Sequence, residues 1–90
     1  MPDIYIFHTS IIVGKMRQQA DIVLDEEHIS RIHARIERSG EEVYVTDLNS
    51  TNGTFVNGER LKANERRRLS SLDEVAFASI VYQYEAPNIF

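Results

Sequence analysis

The sequence contains no cysteine, which removes disulfides, thiol catalysis and thiolate metal sites together. It also lacks long apolar runs. None exceeds four residues, against the ~20 that a membrane-spanning helix needs. Basic excess is missing too: 14 acids against 10 bases leave a formal charge of −4. Broad binding to duplex DNA or anionic membrane usually shows the opposite balance, so neither nucleic acid nor membrane is an expected partner. A local basic pocket is compatible with that total. No charged-then-apolar leader opens the chain, and with the absence of cysteine this makes the cytoplasm the expected compartment. No repeat, low-complexity segment or linker interrupts the sequence before the tail "APNIF", where Pro87 would end strand pairing.

What is present fits one ordinary globule, with 42% hydrophobic and 27% charged residues in 90. A chain of this size buries roughly 60–65% of its unfolded surface, enough for one core. The short lead-in and the apolar ending lead us to expect a single domain over residues 1–90, cut from a longer protein.

Apolar residues recur mostly at period two, the spacing of half-buried strands, so the chain reads as all-β. "DIYIFHTSIIVGK" gives a strand at Ile4 to Phe7, a turn at His8 to Ser10 and a second strand at Ile11 to Val13. "ADIVLD" and "ARIE" are short β-branched runs, and "EEHISRIH" between them reads as a loop with structure of its own. "EEVYVTDL" alternates after Ser39-Gly40, making residues 34 to 48 a hairpin. "TFV" and "ERL" follow, then a polar stretch "KANERRRLSSLD", then "EVAFA" and "IVYQYE". Many short strands at close spacing favour a sandwich over a barrel.

Two Asn-Gly pairs stand five positions apart in "DLNSTNGTFVNGERL". Both residues of such a pair tolerate positive φ, so "VNGERL" reads as a two-residue hairpin turn at Asn57-Gly58. The first pair sits among more polar residues than a tight hairpin needs: Asn49, Ser50, Thr51, Asn52, Gly53 and Thr54. On spacing alone it is either a solvated loop or a set of donors converging on an anion.

Taken with its partners, the stretch resembles the forkhead-associated (FHA) family, modules that recognise phosphothreonine. The resemblance rests on Gly14-Lys15, then Ser30-Arg31-Ile32-His33, then Asn52-Gly53 and Asn57-Gly58, in that order, and covers about residues 11 to 84. It implies a β-sandwich of about eleven short strands with a peptide site in the loops at one end. Little precedes "DIYIF", so the family's first strand is the one expected to be missing. Leu72-Asp73 stands where the family usually has Gly-Asp, and Ala78 where glycine is common. Lys15 stands where it commonly has arginine, exchanging a planar fork for a flexible point charge.

By that resemblance Ser30 Oγ, Thr51 Oγ and a neighbouring backbone N–H would donate to phosphate, and Lys15 would supply charge. Arg31 would contact phosphate or peptide backbone, with Arg17 as a further cation, and Asn52 would hold the ligand main chain. Gly14, His33 and Gly53 would support the binding loops, His33 from beneath. The expected partner is a phosphothreonine-containing protein, or a phosphorylated segment of the same longer chain. No cofactor or metal is called for: His8 and His28 belong to no ligand motif. Nor is an enzyme expected, since Ser30 and His33 have no evident third partner and Asp25-Glu26-Glu27 reads as a solvated charge run. The rival reading is a phosphate-independent interaction module whose pocket Lys15 has weakened. Arg66-Arg67-Arg68 reads as a solvated loop, lacking the interleaved aromatics of a nucleic-acid patch. Arg67-Arg68-Leu69-Ser70 faintly resembles a basophilic kinase site at Ser70.

Overall fold

The computed structural model describes residues 9–86. The strand expected over Ile4 to Phe7, His8 and the tail at Pro87 lie outside the described residues. Nine strands follow one another within 9–86: β1 Ser10–Gly14, β2 Ile22–Val23, β3 Ala34–Ser39, β4 Glu42–Asp47, β5 Thr54–Val56, β6 Glu59–Arg60, β7 Arg66–Leu69, β8 Glu74–Phe77 and β9 Ile80–Gln83. They form a five-stranded sheet in the order β2-β1-β3-β4-β7 and a four-stranded sheet in the order β6-β5-β8-β9.

The core follows from the alternation in the sequence. Across the first sheet, Ile11 lies opposite Ile36 and Ile36 opposite Val45, while Val43 lies opposite Leu69. These side chains are buried, together with Val13 and Ala34. The second sheet contributes Val56, Val75 and Phe77, and the connections add Leu24, Ile29 and Leu61. Each such side chain is worth roughly 1.5–3 kcal/mol on burial, so the two facing sheets are held mainly by this layer.

Turn chemistry sets the hairpins. Gly40, at φ +63°, opens the two-residue turn between β3 and β4. Asn57 and Gly58, at φ +51° and +81°, take the paired positive angles of a type I′ turn between β5 and β6. Leu72 and Ala78 hold φ of +76° and +54° with a Cβ present, where a non-glycine residue is disfavoured by about 1–2 kcal/mol.

One expectation is corrected. The polar stretch after Leu61 contains β7, paired antiparallel with β4, so Arg66 to Arg68 are strand rather than loop. The arginines are tolerated there because each ends on a carboxylate: Arg66 on Glu37, Arg67 on Glu59 and Glu65, and Arg68 on Glu42. The Arg66 guanidinium also lies over the Tyr44 ring, 3.6 Å from its centre. Leu69, the residue before Ser70, is buried, so presenting this segment in a kinase cleft would require the edge strand to peel away.

Candidate functional site

Three loops meet at one end of the sandwich. The chain leaving β1 runs beside the segment preceding β3: Lys15 N–H donates to the Ser30 carbonyl at 3.0 Å, and Met16 N–H to that of Arg31 at 3.1 Å. Gly14 is what lets them approach. A Cβ there would sit 2.1 Å from the Arg31 carbonyl oxygen, a backbone atom with nowhere to go. The third loop joins through Ser30, whose Oγ accepts the Thr51 N–H at 3.0 Å. Asn52 crosses to the same segment, its Nδ2 donating to the His28 carbonyl at 2.8 Å.

His33 fastens the loops from below. It is fully buried, with its ring edge-on to Phe77 at 5.9 Å. Its Nδ1 accepts the Ser30 N–H at 3.1 Å, so Nε2 carries the proton and donates to the Gly53 carbonyl at 2.8 Å. The Gly53 carbonyl also accepts the Ala78 N–H at 2.9 Å, and the His33 carbonyl the Leu48 N–H at 3.0 Å. One side chain therefore sets the spacing between the segment of Ser30 and the loop of Thr51 to Gly53.

A second brace was not anticipated from sequence. Asp47, at the end of β4, is 4% exposed and accepts from the Ser50 N–H, the Ser50 hydroxyl and the Thr54 hydroxyl. Ser50 Oγ in turn accepts the Gly53 N–H at 3.1 Å. A buried carboxylate without donors would be unfavourable by several kcal/mol; here the loop's own hydroxyls and amide satisfy it, which pins both loop ends. The signal available in sequence was Asp47 followed by hydroxyls at 50 and 54, a pattern equally common in solvated loops.

The structure thus brings Lys15, Ser30, Thr51 and Asn52 together over a floor of Gly14, His33 and Gly53. Ser30 Oγ accepts internally but keeps its own proton to donate, and among the described residues the Thr51 hydroxyl has no partner. Lys15, Arg17 and Arg31 are exposed, and none makes an ion pair within the described residues. Lys15 is not electrically isolated. The Glu26 carboxyl is held below its ordinary value chiefly by its hydrogen bond to His28, with a smaller contribution from the Lys15 charge. His28, exposed and bonded through Nδ1 to Glu26 at 2.9 Å, is pushed up by the same bond. Glu26 therefore departs from the solvated run: it orders the turn whose carbonyl receives Asn52. Beside Asn52 opens a hollow of about 280 Å³ lined by His28, Phe55, Ala78 and Ser79.

A two-layer β-sandwich whose end loops carry hydroxyls, an amide and exposed cations offers donors and positive charge to an anionic ligand. The FHA domain family model matches residues 11–78, and the chain belongs to that family. It is 37% identical over 70 residues to the protein phosphatase 1 regulatory inhibitor subunit PPP1R8 homolog of Arabidopsis thaliana, spanning 76% of this chain but only 19% of that protein. Among solved structures, the FHA domain of CT664 from Chlamydia trachomatis superposes with a TM-score of 0.76 at 36% identity, over 82% of this chain and 73% of that one. The N-terminal FHA domain of S. cerevisiae Rad53p, solved in complex with a phosphothreonine peptide, gives 0.66 at 28% identity, over 73% and 53%.

Proposed function

We propose that this FHA domain recognises phosphothreonine in a partner protein, or in another segment of a longer chain, and so makes protein association depend on phosphorylation in signalling. The observation that carries the reading is the meeting of Lys15, Ser30, Thr51 and Asn52 through three loop-to-loop hydrogen bonds. A phosphate carries about −1.5 to −2 charges and three acceptor oxygens, and hydroxyl donors beside an exposed cation match that demand. In this reading Ser30 and Thr51 donate from Oγ, Lys15 and Arg31 supply charge, and Asn52 orients the ligand backbone with its unused Oδ1 and second N–H.

FHA domains are interaction modules, and in this reading Ser30 serves as a hydrogen-bond donor rather than as a nucleophile. His33 Nδ1 faces the Ser30 backbone N–H rather than its hydroxyl, so no base stands on Oγ. Arg66 to Arg68 each pair with a carboxylate, and a nucleic-acid partner is not part of this reading. Among the described residues no helix is long and apolar enough to cross a membrane, and a cytoplasmic setting belongs to the proposal.

Titration with matched phosphothreonine, phosphoserine and unmodified threonine peptides tests the reading. Binding of the phosphothreonine form alone, or over phosphoserine by the roughly 10–200-fold that one methyl group can supply, supports it. Equal affinity for modified and plain threonine overturns it and favours the rival, a phosphate-independent surface, which lysine in place of the family's common arginine at position 15 motivates.

A further inference from the structure

Arg60 differs from the arginines that follow it. Arg66, Arg67 and Arg68 each end on a carboxylate. Arg60, in a chain with 14 acids, makes no ion pair among the described residues. Its Nη2 instead donates to the Thr51 carbonyl at 3.2 Å. The route is set by register. Arg60 lies opposite Phe55 across the β5–β6 hairpin, and its side chain passes Gly53 closely: a Cβ at 53 would lie 2.9 Å from Arg60 Nε and 2.9 Å from the Phe55 ring. The glycine leaves the space through which the guanidinium reaches Thr51. Thr51 is consequently held on both sides, by its N–H on Ser30 Oγ and its carbonyl on Arg60, while its hydroxyl stays free.

We infer that Arg60 is a positioning residue for the phosphothreonine site: it fixes the Thr51–Asn52 peptide plane, so that the Thr51 hydroxyl and the Asn52 amide are presented together. The β5–β6 pairing, Phe55 opposite Arg60 and Val56 opposite Glu59, is what puts Arg60 against the binding loop, and substitutions in the Asn57-Gly58 turn that preserve this pairing leave Arg60 in place. The inference rests on the phosphothreonine reading above.

Arg60→Ala and Arg60→Lys test it, each followed by amide NMR of the free protein and by titration with one tight phosphothreonine peptide selected from a randomised library. Arg60→Ala is expected to move the amide resonances of Thr51, Asn52 and Gly53, to leave those of Ile36 and Val45 in place, and to weaken the peptide roughly three- to tenfold, the scale of one ordinary hydrogen bond, since Arg60 acts through the loop and not on the ligand. Arg60→Lys, which keeps a donor on a long stem, recovers part of that loss. The fold loss persists in 1 M salt, where the Debye length is about 3 Å and a merely attractive charge would be screened. Unmoved amides at 51–53, wild-type affinity in Arg60→Ala, or a deficit that vanishes in salt each overturns the inference. If the wild-type domain binds no phosphothreonine peptide, the functional reading falls, and the amide shifts by themselves decide whether Arg60 holds the loop.

Discussion

Asn52 and Asn57 both precede a glycine, and their amides are spent differently. Asn57 is used up internally: Nδ2 donates to Asp73 at 3.0 Å and Oδ1 accepts the Glu74 N–H at 2.9 Å. Asn52 gives one N–H to the His28 carbonyl and keeps the rest of its amide for solvent or ligand. Their glycines contrast as well. Both have positive φ, +93° at Gly53 and +81° at Gly58, yet a side chain at 58 would meet open space while one at 53 would strike Arg60 and Phe55. The same dipeptide closes a hairpin in one place and, enclosed by three loops, lies in the candidate site in the other. Enclosure makes the difference.

The largest way to break the comparison is beneath the first loop. His33→Ala removes a fully buried ring and both of its hydrogen bonds to the loops, and should destabilise by about 3–5 kcal/mol in urea unfolding; nothing comparable underlies Asn57-Gly58. Next come the glycines. Gly53→Ala should lose roughly 2–3 kcal/mol, combining φ strain with displacement of Arg60 and Phe55, and should weaken phosphopeptide binding with it. Gly58→Ala should lose only about 1 kcal/mol and leave affinity unchanged. Equal effects from the two would erase the distinction.

A third pair separates binding from folding. Asn52→Ala should weaken a phosphothreonine peptide about tenfold or more and lower stability less than Asn57→Ala does, since it gives up one internal bond, to the His28 carbonyl, while its remaining bonds would go to ligand. Asn57→Ala should do the reverse, losing about 1–2 kcal/mol of stability with affinity kept. The smallest effect is an acid one. The Asp73 carboxyl is held below its ordinary value by the Asn57 amide and then by the Ser70 N–H. A carboxyl lowered in the fold adds stability above its unfolded value, near pH 4, and loses it as pH falls through the folded value. Asp73→Asn should therefore flatten the fall of stability below about pH 4, read from urea midpoints at several pH values.

Local pattern revealed the β3–β4 hairpin and the Asn57-Gly58 turn, because alternation and positive-φ residues are properties of neighbouring positions. It also marked the candidate residues, which fall in short ordered motifs. Strand β7 was not legible: Arg66 and Arg68 imitate a solvated run until Glu37 on β3, two strands away, and Glu42 on the neighbouring β4 are seen to neutralise them. Asp47 and Arg60 escaped for the same reason, since a carboxylate buried under its own loop and a guanidinium threaded past a glycine are facts of tertiary packing. Leu72 and Ala78, noted as departures from a glycine pattern, keep the positive φ a glycine would take. The backbone path survives the substitution, and Leu72→Gly should recover the strain.

Amide NMR during titration with a phosphothreonine peptide tests the central claim most directly, with the unmodified threonine peptide as control. The account predicts shifts at Lys15, Ser30, Arg31, Thr51 and Asn52, resonances of Asn57 and Gly58 that stay still, and no response to the plain peptide. Shifts centred on another face of the sandwich, or the same shifts from the plain peptide, would contradict it.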